Sequence, residues 1–476
     1  MDKRNDCFRF ALPKGRLLPA TAGLISKAEL GLDGYSSKTR DYRLSSAKIP
    51  SLSARIFQEK DIPVQVAMGN YDLGICGLDW IEEFLVKYPC SDLIKVANLN
   101  YGEGGIYAIS LDDVCGEIAN SLAGRGNWRI VSEYPNLAMS FALDSRLRSF
   151  RIFPVRGVAD TYLPENADMA VLWAESEREI EKWGMVAQKM ILSAGSFLIA
   201  NRESLRTKDL SPVLSRLSSS ISIAPRAAVQ TEQEGECSPV VSTTRAIPDI
   251  TATSLALPDG HQQKPAVQFL EKAGIAPQEY ALSPLRQRPS IGLAGVAVKV
   301  IRPQDMPLQV ANGNFDLAIT GKDWLLDHKS RFPASPVINM LDLGFGMVRV
   351  VAAVNGDMPV SGIDELRLLV QQGKLTPLRV ASEYVNIADR YLQDNRLCPY
   401  KLIPTCGSSE AFLPEDADLL IDNVQTGKTL AKHNLKVIAV LFESAACVIG
   451  NKDTASRPGK KEKIASIIQV LQKGLL

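Results

Sequence analysis

The sequence predicts an α/β fold present twice in tandem, and three observations carry that expectation. The chain repeats itself: VQVAMGNYDLGICGLDW (64–80) and LQVANGNFDLAITGKDW (308–324) share 11 of 17 residues, and similarity at a fixed offset marks a duplicated structural unit. Within each copy, short β-branched runs alternate with amphipathic stretches, which is the pattern of open sheets with helices on their faces. The length of 476 residues also exceeds one core, since single cores stop growing near ~250–300 residues.

Taken in order, the first copy reads FRFALP then PATAGLISKA, YDLGICG then LDWIEEFLV, WRIVS then NLAMSFAL, and finally FRIFPV and ADMAVLW. The second copy follows the same order. FALPKGR (10–16) pairs with LALPDGH (255–261), SEYPNLA (132–138) with SEYVNIA (382–388), LPENADMAVL (163–172) with LPEDADLLID (413–422), and FLIANRESL (197–205) with CVIGNKDTA (447–455). The offset drifts only from 244 to 250. Residues 1–219 therefore form one copy and 253–476 the other. Between them, 220–252 is rich in Ser, Pro, Thr and Glu without periodicity and reads as a linker.

Lys plus Arg number 54 against 53 Asp plus Glu, a balance that gives no support to nucleic-acid or membrane binding through bulk charge. The eight cysteines (7, 76, 90, 115, 237, 398, 406, 447) show no C-x-x-C spacing, which predicts reduced, buried thiols and no zinc framework. With no apolar leader and no run of 18 apolar residues, a cytoplasmic protein is expected.

In such folds, ligands bind beyond the C-terminal ends of strands, and loops such as LPKGR and DNVQTGKTL fall there. DNVQTGKTL (422–430) follows the strand-like ADLLID; its Thr-Gly turn and the Thr426 and Thr429 hydroxyls suit a phosphate. A Walker loop would need Gly where Asp422 stands. A carboxylate at that position suits a sugar, because it can accept hydrogen bonds from two ribose hydroxyls. ALPKGRL (11–17) sets Lys14 and Arg16 about Gly15, two cations fit for a pyrophosphate. LDLGFGMVR (341–349) supplies Asp342 and Arg349, and TCGSSEAF (405–412) a Gly-Ser-Ser-Glu turn. Asp72 and Asp316 head buried strands in both copies, where a turn cap explains them as well as a ligand does. Only three His occur (261, 328, 433), so neither a Ser-His-Asp set nor a His metal cluster is available.

Together LPKGRL, DLGICG or DLAITGKD, LDLGFGMVR, RVASEY, CGSSE and DNVQTGKTL resemble the short form of ATP phosphoribosyltransferase, the first enzyme of histidine biosynthesis, over nearly the whole chain and twice. The resemblance implies a bilobal type II periplasmic-binding-protein-like fold in each copy. It further implies transfer of phosphoribosyl from phosphoribosyl pyrophosphate to N1 of ATP, a Mg²⁺ requirement, and a histidyl-tRNA-synthetase-like regulatory subunit as partner. By the same resemblance, Asp422, Thr426, Gly427, Lys428, Thr429 and Leu430 hold the phosphoribosyl group. Lys14, Gly15, Arg16, Asp72, Asp316, Asp342, Arg349, Ser408 and Glu410 line the nucleotide and pyrophosphate side, with Lys14, Arg16 and Asp422 catalytic. No metal ligand is assigned. The chain departs from the family at Glu133, Glu383 and Met347, where a basic residue is usual.

The copies have decayed in complementary ways. At the register of DNVQTGKTL the first copy reads LWAESEREI (172–180), whose Glu175, Glu177 and Glu179 would each oppose a phosphate by about 1 kcal/mol or more. The second copy instead loses the cations, with Asp259 and His261 at the places of Lys14 and Arg16. One composite site per chain is therefore expected, Lys14 and Arg16 facing the phosphoribosyl loop of the other copy.

Overall fold

A computed structural model describes residues 7–36, 42–112, 127–221, 253–275, 277, 280, 288–407, 409–455 and 459–475. The first copy contributes β1 (Phe8–Lys14), β2 (Arg43–Ser45), β3 (Leu52–Gln58), β4 (Leu73–Gly77) and β5 (Leu93–Asn98) before the chain crosses to a second sheet. That sheet holds β6 (Gly104–Ser110), β7 (Trp128–Ser132), β8 (Phe150–Pro154), β9 (Met169–Ala174) and β10 (Val186–Ala194); β11 (Ser196–Asn201) then returns to the first. The strand orders are β2-β3-β1-β4-β11-β5 and β10-β6-β9-β7-β8. Each copy is thus bilobal, with two crossings between lobes.

The second copy repeats the plan. Its first lobe contains β12 (Thr253–Pro258), β13 (Val296–Ile301), β14 (Leu317–Gly321), β15 (Val337–Asp342) and, after the return, β21 (Ala446–Asn451). Its second lobe contains β16 (Val348–Asn355), β17 (Leu378–Ser382), β18 (Tyr400–Pro404), β19 (Leu419–Val424) and β20 (Leu435–Ser444). The orders β13-β12-β14-β21-β15 and β18-β17-β19-β16-β20 match those of the first copy apart from the added edge strand β2. This is the type II periplasmic-binding-protein-like arrangement, twice.

β1, β3 and β4 run parallel, so the turns after Lys14 and Gly77 open on the same edge of the sheet. β4 and β14 are buried throughout, which is why both read as continuous apolar runs rather than alternating ones.

The two copies pack head to tail. Ala11, Phe57 and Tyr71 of the first lobe share a core with Val351, Phe412 and Leu430 of the other copy's second lobe. Reciprocally, Ile109 and Tyr162 pack with Ile301, Met306 and Phe315. Burial of this kind contributes about 25 cal/mol per Å² of apolar surface, so these joints are cores and not loose domain contacts.

Polar pairs fix their register. Asp416, fully buried, accepts from Arg55 Nη1 (2.7 Å), Arg9 Nη2 (2.9 Å) and the Tyr71 hydroxyl (2.7 Å). At the opposite joint, Lys299 Nζ reaches Glu165 and Asn166, both at 2.7 Å.

Among the described cysteines only Cys76 and Cys447 are buried, whereas Cys7, Cys90 and Cys398 are exposed and Cys406 is half-buried. Cys115 and Cys237 lie outside the described residues, as does the linker beyond residue 221.

Candidate active site

The loop of the second copy leaves most of its polar side chains exposed. β19 carries Asp422 to the edge of the cleft, and the chain turns at Gly427 with φ +73° before the short helix Lys428–Lys432. A left-handed φ of this kind favours Gly because it lacks a Cβ. Thr426, Lys428 and Thr429 are exposed, whereas Leu430 is 6% exposed and anchors the loop in the shared core. Burial first, and then the neighbouring Glu383, push the half-buried Asp422 carboxyl up to about 7. Arg349 stands opposite Val424 on the adjacent strand and is exposed beside the loop. Glu410, in the turn Ser409–Phe412, adds a smaller repulsion on Asp422, and Ser409 supplies it with a hydrogen bond.

The first copy's loop is closed on itself. Here the Glu175 backbone N–H donates to the Glu179 carboxylate at 2.8 Å. An internal anion thus occupies an amide of this loop. Two further carboxylates, Glu175 and Glu177, are exposed around it.

Lys14 and Arg16 part company. Lys14 Nζ donates to the Tyr42 hydroxyl at 2.7 Å, and the Tyr42 ring lies 6.2 Å from that of His433, one residue past the loop helix of the other copy. Arg16 turns instead into the cleft of its own copy, a correction to the expected cross-copy orientation. Its Nη2 reaches Glu59 at 3.2 Å and Asp79 at 3.1 Å, and the guanidinium lies 4.1 Å from the Trp173 ring. Two acids and an aromatic face hold the cation more closely than open solvent would. Gly15, between them, has φ +97°.

Asp72 and Asp316 are also corrected. Each precedes its strand at the end remote from the cleft and serves the sheet. Asp72 accepts from Arg9 N (2.8 Å), Ser204 Oγ (2.6 Å) and Lys208 Nζ (2.9 Å); Asp316 accepts from Ser254 N (2.9 Å) and Lys460 Nζ (2.8 Å). Asp342 ends β15 at the lobe crossing, exposed and bonded to Asn339 at 2.7 Å. Ser408 lies outside the described residues.

The acids that do face the clefts are Asp79 and Asp323, just past Gly77 and Gly321. Asp79 accepts from the Tyr134 hydroxyl at 2.9 Å, and Asp323 from the Tyr384 hydroxyl. A signal was present, since GLDW and GKDW keep Gly, Asp and Trp in both copies and differ only at Leu78 and Lys322. Neighbouring acids also tie the lobes together: Glu83 accepts from the Asn136 and Leu137 amides, and Asp327 from those of Asn386 and Ile387. Where the copies meet, a cavity of about 210 Å³ is lined by residues that include Lys60, Glu133, Arg156 and Glu383. Glu383 accepts there from Arg156 at 3.0 Å across the two copies.

A family model described as "HisG: ATP phosphoribosyltransferase" matches residues 58–221 and again 302–473. The chain belongs to the ATP phosphoribosyltransferase family. An ATP phosphoribosyltransferase of Moorella thermoacetica is 30% identical over 222 residues, covering 46% of this chain and 92% of its own. That of Metallosphaera sedula is 36% identical over 203 residues, covering 42% of this chain and 65% of its own. A chain of the ATP phosphoribosyl transferase (HisG:HisZ) complex from Thermotoga maritima is 22% identical, with a TM-score of 0.38 over 47% of this chain and 98% of its own. Each relative thus spans less than half of this chain, as a doubled member of the family requires. Among the described residues, no helix is long and apolar enough to cross a membrane.

Proposed function

We propose that this ATP phosphoribosyltransferase works at one site per chain, in the cleft of the second copy, completed by the first lobe of the first copy, with 220–252 as the linker between copies. The observation that carries the reading is the contrast between the loops. Thr426 and Thr429 stand exposed around a left-handed Gly427, whereas Glu179 already satisfies the Glu175 amide. Leu430 packs against Ala11 and Phe57, which supports a role for the first copy in holding the loop.

In this reading, the loop binds the 5-phosphate of phosphoribosyl pyrophosphate and Asp422 accepts from the ribose hydroxyls. N1 of ATP then attacks C1 of the ribose as the C1–O bond to pyrophosphate breaks, through an oxocarbenium-like state. Because N1 carries a lone pair and no proton, no general base is demanded. Catalysis rests on alignment of two anionic substrates and on neutralising the leaving charge. Lys14, held on Tyr42 near His433, and Arg349, opposite Val424, are the cations assigned to the leaving group. Mg²⁺ would enter with the polyphosphate substrates, whose phosphate oxygens suit a hard cation. A cytoplasmic location fits these substrates.

One observation favours a second reading, a regulatory member of the family that does not turn over. Arg16 is already engaged by Glu59, Asp79 and Trp173. Purified chain with ATP, phosphoribosyl pyrophosphate and Mg²⁺ separates the two. Pyrophosphate release with the near-ultraviolet absorbance of the product, abolished in Thr426→Ala, supports the enzyme. Phosphoribosyl pyrophosphate bound at one site per chain without turnover points to the regulatory role, or to a histidyl-tRNA-synthetase-like subunit that must be added. Two bound per chain would refute the single site.

A further inference from the structure

A chain of hydrogen bonds crosses from one lobe of the second copy to the other and ends at Asp422. In the first lobe, Asp323 is buried and accepts from Ser444 Oγ at 2.8 Å, while its own amide donates back to Ser444 Oγ at 2.9 Å. Ser444 is the last residue of β20, where the chain recrosses between lobes. Tyr384, fully buried in the second lobe, donates its hydroxyl to Asp323 Oδ2 and stacks on Trp324 with ring centroids 4.3 Å apart. The same hydroxyl accepts from Asn423 Nδ2 at 2.8 Å. Asn423 closes the chain, since its backbone N–H donates to Asp422 Oδ1 at 2.7 Å and its side-chain amide lies 3.5 Å from the same oxygen.

The first copy lacks both ends of this chain. Tyr134 still bonds Asp79 at 2.9 Å. However, Trp173 stands at the register of Asn423 and Ala194 at that of Ser444, and the Asp79 carboxylate is shared with Arg16. The full relay therefore accompanies only the copy that keeps the phosphoribosyl loop. A tyrosine that merely filled the core would not need Asn423 on its hydroxyl in one copy alone.

We propose that Tyr384 is a positioning residue: through Asp323 and Asn423 it couples closure of the lobes to the orientation of the Asp422 carboxylate. The proposal rests on the reading that the second cleft is the phosphoribosyl site. With the lobes together, the Tyr384 hydroxyl is fixed from the first lobe and holds Asn423, which holds Asp422 towards the ribose. With them apart, Asp323 leaves and the carboxylate is free to turn.

Tyr384→Phe keeps the ring on Trp324 and removes only the hydroxyl. The expected result is a rise of about tenfold in KM for phosphoribosyl pyrophosphate with KM for ATP changed less than twofold. Asn423→Leu, which leaves Tyr384 in place, should reproduce the same split, and the double variant should be no worse than either single one, because both cut one relay. Tyr134→Phe, the matching change in the first copy, should leave both KM values unaltered.

If Tyr384→Phe and Asn423→Leu each stay within twofold of the parent for phosphoribosyl pyrophosphate while Thr426→Ala abolishes turnover, the relay is overturned and the site stands. Equal rises in both KM values, with a lowered Tm, would also overturn it in favour of simple packing. Turnover that survives Thr426→Ala refutes the site assignment instead.

Discussion

Asp416→Asn tests the head-to-tail joint on which the proposed site depends. The Asp416 side chain is 0% exposed and gathers three donors, while the Arg55 side chain beside it is 5% exposed. An amide offers one acceptor oxygen where two serve three donors, and it turns an N–H₂ group either towards Arg9 or towards Arg55 and Tyr71. Breaking a buried ion pair from one side costs about 3–5 kcal/mol, because the surviving charge stays buried. Arg55 also holds Glu415, which is 43% exposed and can follow it, so the loss should lie near the lower end, about 3 kcal/mol. Urea unfolding followed by tryptophan fluorescence reads this as a lower midpoint with an unchanged slope. Because Leu430 shares the same core, the variant should also lose turnover at urea concentrations that leave the parent active. A loss below about 1 kcal/mol would mean that water reaches Arg55 and that the joint is not built on this contact.

Asp422, pushed up to about 7, gains its charge as pH rises through that value, so KM for phosphoribosyl pyrophosphate should fall severalfold between pH 6 and pH 8; a flat profile would contradict its role as acceptor. Burial likewise raises the Asp305 carboxyl from 3.8 to about 7. A raised folded-state value means that the folded chain holds the proton more tightly, so this group's contribution is present at pH 4 and lost as pH rises towards 7, by up to about 4 kcal/mol at 1.36 kcal/mol per unit. Asp305→Asn, whose oxygen can still accept from the Arg156 amide, should therefore raise Tm more at pH 8 than at pH 5, which differential scanning calorimetry reads directly. Gly427→Ala meets no atom within 4 Å but places a Cβ at φ +73°, costing about 1–2 kcal/mol locally; turnover should drop at least tenfold while Tm moves by no more than a few degrees, and full activity would show that the loop needs no left-handed turn.

Much of the fold was legible because duplication wrote it twice. The succession of strands and helices in each copy followed from the collinear repeat, and β4 and β14 declared themselves as apolar runs with Gly at the end. Pairing between copies was not legible. Arg55 and Asp416 lie 361 residues apart, and neither position differs in kind from any surface ion pair until the chain is folded. The site divided along the same line. The turn at Gly427 was legible, because a left-handed backbone there favours glycine. Direction of side chains was not: Arg16 and Lys14 sit two residues apart yet take different partners, because Glu59, Asp79 and Trp173 capture one and Tyr42 the other. Asp72 and Asp316 misled because an Asp at a strand start and an Asp past a strand end look alike in sequence, although the length of a strand separates them.

The shared cores explain why complementary decay is tolerated while deletion would not be. If each copy folded around its own lobes alone, the first could vanish once its loop had filled with glutamates. Instead Ala11, Phe57 and Tyr71 form the wall against which Leu430 and Phe412 pack, and Arg9, Arg55 and Tyr71 satisfy an acid on the other copy. Removing the first copy would expose that apolar face and strand Asp416 without donors, so selection on the second cleft also preserves the first lobe. What selection on that cleft does not preserve is the first copy's loop, which touches no substrate in this reading. There the Glu179 carboxylate replaces an external anion by an internal one, satisfying the backbone without any ligand. In that reading the acidic loop supplies its own anion to the Glu175 amide, so the first copy's loop needs no ligand to satisfy that backbone group.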